Sequence, residues 1–169
     1  MRVRREIRQS EGEALADLAL YHEMTFSWEH IPQAQQLGEE ALGIAQEIGD
    51  ERVVARSLSY LGAIDQAYGK LLEGDQKLER ALRIGETRGF QDVIAHASWV
   101  LGAAANWRGA FQEAISLCQQ GEQAAADMYD GVGELWNQGF RCLAHIGLGE
   151  YVAAITAIND GLIKARDRD

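Results

Sequence analysis

The chain repeats itself every 40 residues. Leu61-Gly62 is followed by Gly69, Gly74 and Ala81-Leu82, and Leu101-Gly102 is followed by Gly109, Ala114 and Gly121. The offsets of seven, five and seven residues are the same in both stretches. They return at Gly149, Ala154 and Gly161, and in weaker form at Ala34 and Ala41. A fixed period of this length is the mark of stacked supersecondary units, each hiding its apolar face against its neighbours. No stretch keeps the apolar–polar alternation of a half-buried strand, so the expected fold class is all-α.

The units read as helix pairs. Only one proline occurs in 169 residues, which suits long helices because proline breaks a helix interior. Ser10 followed by Glu13 has the form of a capping box and predicts the start of a first helix running to about Trp28. Pro32 falls near the first turn of a second helix, which stops at Gly49-Asp50. Asp50 and Asp130 are expected to cap the third and seventh helices. Turns are predicted near Gly69, Gly89, Gly109 and Gly147–Glu150. The reading is one domain of four units, at about 11–50, 51–90, 91–130 and 131–169, after a basic N-terminal extension over 1–10. Small residues at fixed sites, among them Gly62, Gly74, Gly102 and Ala114, predict close approach of helix backbones.

This spacing resembles the tetratricopeptide repeat. Leu101-Gly102, Gly109, Phe111, Ala114 and Gly121 match its pattern, and Leu61-Gly62, Gly69, Gly74 and Ala81 match it without the aromatic. Gly149, Tyr151, Ala154 and Gly161 match its second half, with Arg141-Cys142 in place of Leu-Gly. The first unit diverges most, with Tyr21-His22 and Glu29 at the motif sites. The period is 40 rather than about 34. Gln46, Glu86, Ala126 and Arg166 stand where the family places a proline. Such long units, with an ending like Ala41–Asp50, look like the arrays of large bacterial ATPase-type regulators and cyclases.

The resemblance implies a right-handed superhelical stack of four antiparallel helix pairs, an α-solenoid whose first helices line a concave groove. Its lining positions fall on Arg56, Ser59 and Gln66, then His96, Trp99, Asn106 and Trp107, then Trp136. Tryptophan and arginine are frequent interface anchors, so these residues are the candidate partner-binding set. Arg56 is the expected cation for a partner carboxylate. The version of the fold that clamps a C-terminal carboxylate uses lysines and asparagines. Ala19 and Glu23 stand at those sites here, which argues against it.

The net charge of −10 argues against a nucleic-acid grip. Met1–Gln9 departs from that balance with Arg2, Arg4, Arg5 and Arg8 against Glu6. Cys118 and Cys142 form no metal-ligand spacing and read as buried thiols. His22, His30, His96 and His145 are scattered with no nucleophile at useful spacing, and Gly131-Val132-Gly133 lacks the third glycine of a dinucleotide loop. Neither catalysis, a cofactor nor a metal is expected. No apolar run approaches 18 residues and no signal-peptide core is visible, so a cytoplasmic, membrane-free location is expected.

The expected function is a protein or peptide interaction scaffold, as in a bacterial signalling or transcriptional regulator. The alternative is a sensor domain that takes a short peptide or small ligand in the groove. Val152, Ile155, Ile158, Leu162 and Ile163 make the last helix apolar over most of its circumference. That predicts either self-association through the C-terminal unit, giving a homo-oligomer, or continuation in a longer array.

Overall fold

The computed structural model describes residues 2–24 and 31–166, with side chains over 6–18 and 31–163. Among them are eight helices and no strand: α1 (Arg2–Met24), α2 (Ile31–Ile48), α3 (Glu51–Ala67), α4 (Leu71–Arg88), α5 (Gln91–Trp107), α6 (Phe111–Asp127), α7 (Gly131–Gly147) and α8 (Tyr151–Arg166). The contacts fall into two compact units, Met1–Val93 and Ile94–Asp169. In the first, α1 packs on α2, α2 on α3, α3 on α4, and α1 also on α3. In the second, α6 packs on α7 and α7 on α8.

The turns obey a rule finer than the 40-residue period. Residues 49, 69, 89, 109, 129 and 149 all take positive φ, from 59° to 78°. The amide of the next residue then donates to the carbonyl five residues back, as in Asp50 to Ala45 at 2.9 Å, Lys70 to Asp65 at 2.8 Å and Glu150 to His145 at 2.9 Å. This is the Schellman closure, which satisfies carbonyls left over at a helix end. A new helix starts one residue later each time. Asp50 caps α3 by accepting from the Arg52 and Val53 amides, both at 3.1 Å, and Asp130 caps α7 by accepting from Gly133 at 3.1 Å. Glycine occupies five of these six left-handed positions, and Tyr129 occupies the sixth with φ 59°.

Within the pairs, absent side chains set the spacing. A Cβ on Gly62 of α3 would sit 2.9 Å from the Gly74 carbonyl of α4 and 2.7 Å from Leu78 Cγ. A Cβ on Gly74 would sit 2.8 Å from the Gly62 carbonyl. Leu78 and Ala81 are fully buried beside this crossing. In the second unit Ala114 is fully buried with Ala105, Ile115 and Ala144, and Phe111 packs against them. Gly121 and Gly161 have a different task. A Cβ there would collide with the carboxamides of Asn137 and Gln138. Those buried amides donate to backbone carbonyls, Asn137 to Ala95 at 3.1 Å and Gly133 at 2.9 Å, Gln138 to Ala157 at 2.6 Å.

One expectation is overturned. Ser10 does not start the first helix, because α1 begins at Arg2 and Ser10 lies inside it. Arginine, glutamate and glutamine sustain a helix. Arg8 also fastens this turn, bonding Glu11 one turn on at 2.9 Å and Glu47 of α2 at 2.8 Å. The expected end of the first helix near Trp28 lies outside the described residues. So do the side chains of Ala19, Tyr21, His22, Glu23, Glu29 and His30.

The glycines give paired predictions. Gly43 lies inside α2, with open space where a Cβ would stand. Gly43→Ala should therefore raise stability by roughly 0.5–1 kcal/mol, the ordinary helix-propensity gain. Gly62→Ala meets backbone and should lower it by about 1–3 kcal/mol. Urea midpoints of the two variants should move in opposite directions. A second prediction concerns Tyr129, whose backbone a glycine would adopt without a Cβ clash. Tyr129→Gly should raise the melting temperature, by about 0.5 kcal/mol or more of stability.

Candidate partner-binding site

The predicted lining residues separate into engaged and open groups. In the first unit, Arg56 of α3 is only 16% exposed and is held on three sides. It pairs with Asp17 of α1 and with Asp92 at 3.5 Å, and its Nε donates to Tyr60 at 3.3 Å. Burial opposes its charge, but Tyr60 and Asp17 outweigh burial and hold the guanidinium above its ordinary value. Burial likewise pushes the Tyr60 phenol up, against the pull of Arg56. The expected free cation is therefore an internal strut. Ser59 is fully buried, and Gln66 is 8% exposed and donates to Asp75 at 2.6 Å. Neither presents a surface to a partner. Beside them Asp65, buried on α3, pairs with Lys77 of α4 and with Lys70 at 3.6 Å.

The second unit keeps its aromatics together. Trp99 of α5 stacks on Trp136 of α7, with centroids 5.3 Å apart and planes at 25°. It also stacks on Phe140 of α7 at 5.7 Å and 10°. Trp136 and Phe140 lie 6.2 Å apart at 17°, so the three rings are nearly parallel. His96, one turn before Trp99, meets it edge-on at 5.4 Å. All four rings are half-buried, neither sealed in the core nor free in solvent. Asn106 fixes the helix pair from the other end by donating to the Phe140 carbonyl at 2.8 Å. Asn106 is thus a structural tie.

Two features of this arrangement were not evident from the lining pattern. Phe140 lies four residues after Trp136, so helical spacing alone puts both rings on one face. The other is Gly139, one repeat after Trp99, where a Cβ would have open space. Trp107 does not share the direction of Trp99. Eight residues rotate it by about 80° around a helix, and it is 74% exposed.

Among the described residues, no three or more His, Cys, Asp or Glu side chains are grouped to hold a metal. His145 pairs with Glu150 at 2.7 Å, and Arg141 with Glu122 at 2.8 Å. Cys118 and Cys142 are free and buried, as expected. Burial pushes the Cys118 thiol up to about 12, with Arg141 opposing the shift. Burial also raises that of Cys142, again against Arg141. A cleft of about 270 Å³ in the first unit is lined by Gln9, Asp50, Glu51, Arg52 and Phe90, among others. That is just under the 300–1,000 Å³ of typical small-molecule sites, which are mostly apolar. No helix among the described residues is long and apolar enough to cross a membrane. No family model matches the chain, and a search of the curated proteins gives no match either.

The thiolate is the reactive form of cysteine. Cys118 should therefore be labelled by a thiol reagent at about pH 8 at least ~100-fold more slowly in the folded chain than in urea. The same shift links to stability. The protonated thiol's contribution is whole below the unfolded pKa of about 8.5 and is lost as pH rises toward the folded value. Cys118→Ser should flatten the alkaline fall in stability.

Proposed function

We propose that this chain is a non-enzymatic interaction scaffold of the tetratricopeptide type, serving a bacterial signalling or transcriptional regulator. The observation that carries the reading is the half-exposed stack of Trp99, Trp136 and Phe140. Aromatic side chains offer large contact area at small entropic cost, and they dominate interface hot spots. A flat ring face takes an apolar side chain or a cation equally well. The chain's charge of −10 favours the cation and disfavours acidic partners. With Arg56 engaged by Asp17 and Asp92, nothing at its position recommends a carboxylate-bearing partner. The fitting partner is a peptide segment with apolar or basic anchors.

The sensor reading stands second, because the open space at Gly139 lies beside Trp136 and Phe140 on α7. A thermal-shift screen separates the two. A small ligand well above its dissociation constant raises stability by a few kcal/mol, whereas a peptide scaffold gives no response to small molecules.

The direct test is truncation of the central ring. Trp99→Ala should weaken partner recovery from the native host by roughly 1–2 kcal/mol, about five- to thirty-fold, while helicity is kept. Equal recovery of the same partners by wild type and variant would make Trp99 ordinary packing and end this reading.

A further inference from the structure

We propose that the cleft beside the α2–α3 turn binds a small zwitterion, of the class of a free amino acid. The cleft lies wholly in the first unit and does not depend on the aromatic stack of the second. Its walls are Gln9 of α1, the Gly49 turn with Asp50, Glu51 and Arg52 at the start of α3, and Phe90. At about 270 Å³ it falls just under the range that takes drug-sized ligands, so its occupant is a more compact molecule. Phe90 is its one ring, half-buried against the core of Ala55, Leu58, Ala81 and Val93.

The charged walls are held in place and keep bonding capacity to spare. Arg88 fixes Glu51 at 2.6 Å and Asp92 fixes Arg52 at 3.1 Å, and neither of these partners lines the cleft. Glu51 engages Arg88 through Oε2, and Arg52 engages Asp92 through Nη2. Asp50 caps α3 through Oδ1 alone, which accepts both amides. Among the described residues each carboxylate therefore retains one oxygen, and the guanidinium retains Nη1 and Nε. The Arg52 guanidinium carbon also sits 6.0 Å from the centre of the Phe90 ring, which steadies it further. Two carboxylates and one guanidinium thus surround one ring. The carboxylates suit an ammonium, the guanidinium suits a carboxylate, and the ring suits a short apolar side chain. An amino acid carries all three on neighbouring atoms. A simple anion would meet Asp50 and Glu51 and a chain charge of −10, and a simple cation would meet Arg52. A zwitterion is neutral overall and is opposed by neither. Walls that are already fixed lose little freedom when it binds.

Amide-resolved NMR of the 169-residue chain with the common free amino acids, each titrated to about 10 mM, tests this. At least one should shift the amides of Gly49, Asp50, Glu51, Arg52 and Phe90 in a saturable way and leave those of Trp136 and Gly139 unmoved. Its N-acetyl derivative lacks the ammonium and its carboxamide lacks the carboxylate, and each should bind at least about tenfold more weakly. Arg52→Gln should weaken binding of the parent amino acid by a similar factor, whereas Arg108→Gln on the second unit should leave it unchanged. Circular dichroism checks that Arg52→Gln stays helical, and the blocked derivatives on wild type decide the matter if it does not. Absence of a shift with every amino acid would overturn the proposal. A blocked derivative that binds as tightly as its parent, or a helical Arg52→Gln chain that binds undiminished, would overturn it too. So would shifts confined to Trp136 and Gly139, which would favour the sensor reading of the second unit instead.

Discussion

The contact between Gly62 and Gly74 sets the distance between paired helices. With no Cβ on either side, the Gly74 carbonyl lies where a Gly62 side chain would begin, and the reverse holds as well. Backbones that approach this closely bring Leu78 into the crossing and leave no room for larger residues. A glycine inside a helix weakens it by roughly 1 kcal/mol relative to alanine, so tight packing has to compensate. The second unit meets the same constraint differently. It uses Ala114 at the crossing, and it uses Gly121 and Gly161 to admit the amides of Asn137 and Gln138. Those amides bond backbone carbonyls, so the small residues there make room for polar ties as well as for apolar contact.

The turns follow from that spacing. Helices packed this closely need a connection that reverses the chain within three residues and satisfies the freed carbonyls. A left-handed residue followed by a six-to-one hydrogen bond does both. The structure uses it at every described turn, and the resulting interval is 20 residues rather than 40. The 40-residue period visible in the sequence is a pair of such intervals, told apart by which helix carries Leu-Gly and which carries the small residue after the turn.

Much of the fold was legible because turn chemistry and small-residue spacing are local. Gly49, Asp50, Gly89, Gly109 and Asp130 announce helix ends through their own backbone preferences. The Ser10–Glu13 pattern misled for a related reason. A capping box is only one solution for that segment, and the bonds from Arg8 to Glu11 and Glu47 favour carrying the helix through. The site was legible only in part. Trp99 meets both His96 and Trp136, contacts between residues that the lining pattern had named singly. The offsets could not show that Arg56 meets Asp17 and Asp92, because those partners lie 39 and 36 residues away on other helices. Nor could they show that Gln66 turns to Asp75. Side-chain pairing of this kind depends on tertiary neighbours, and a lining pattern carries no record of them.

Amide hydrogen exchange at the turns tests the account at its root. The amides of Asp50, Lys70, Phe90, Ala110, Asp130 and Glu150 each follow a left-handed residue and donate to a carbonyl five residues earlier. In loops of other construction, amides at such solvent-facing chain reversals exchange freely. If one hairpin rule governs the whole chain, all six should be protected by at least about tenfold over the unfolded rate, in a series 20 residues apart. Exchange of these six amides at the unfolded rate, with the helix interiors still protected, would contradict it.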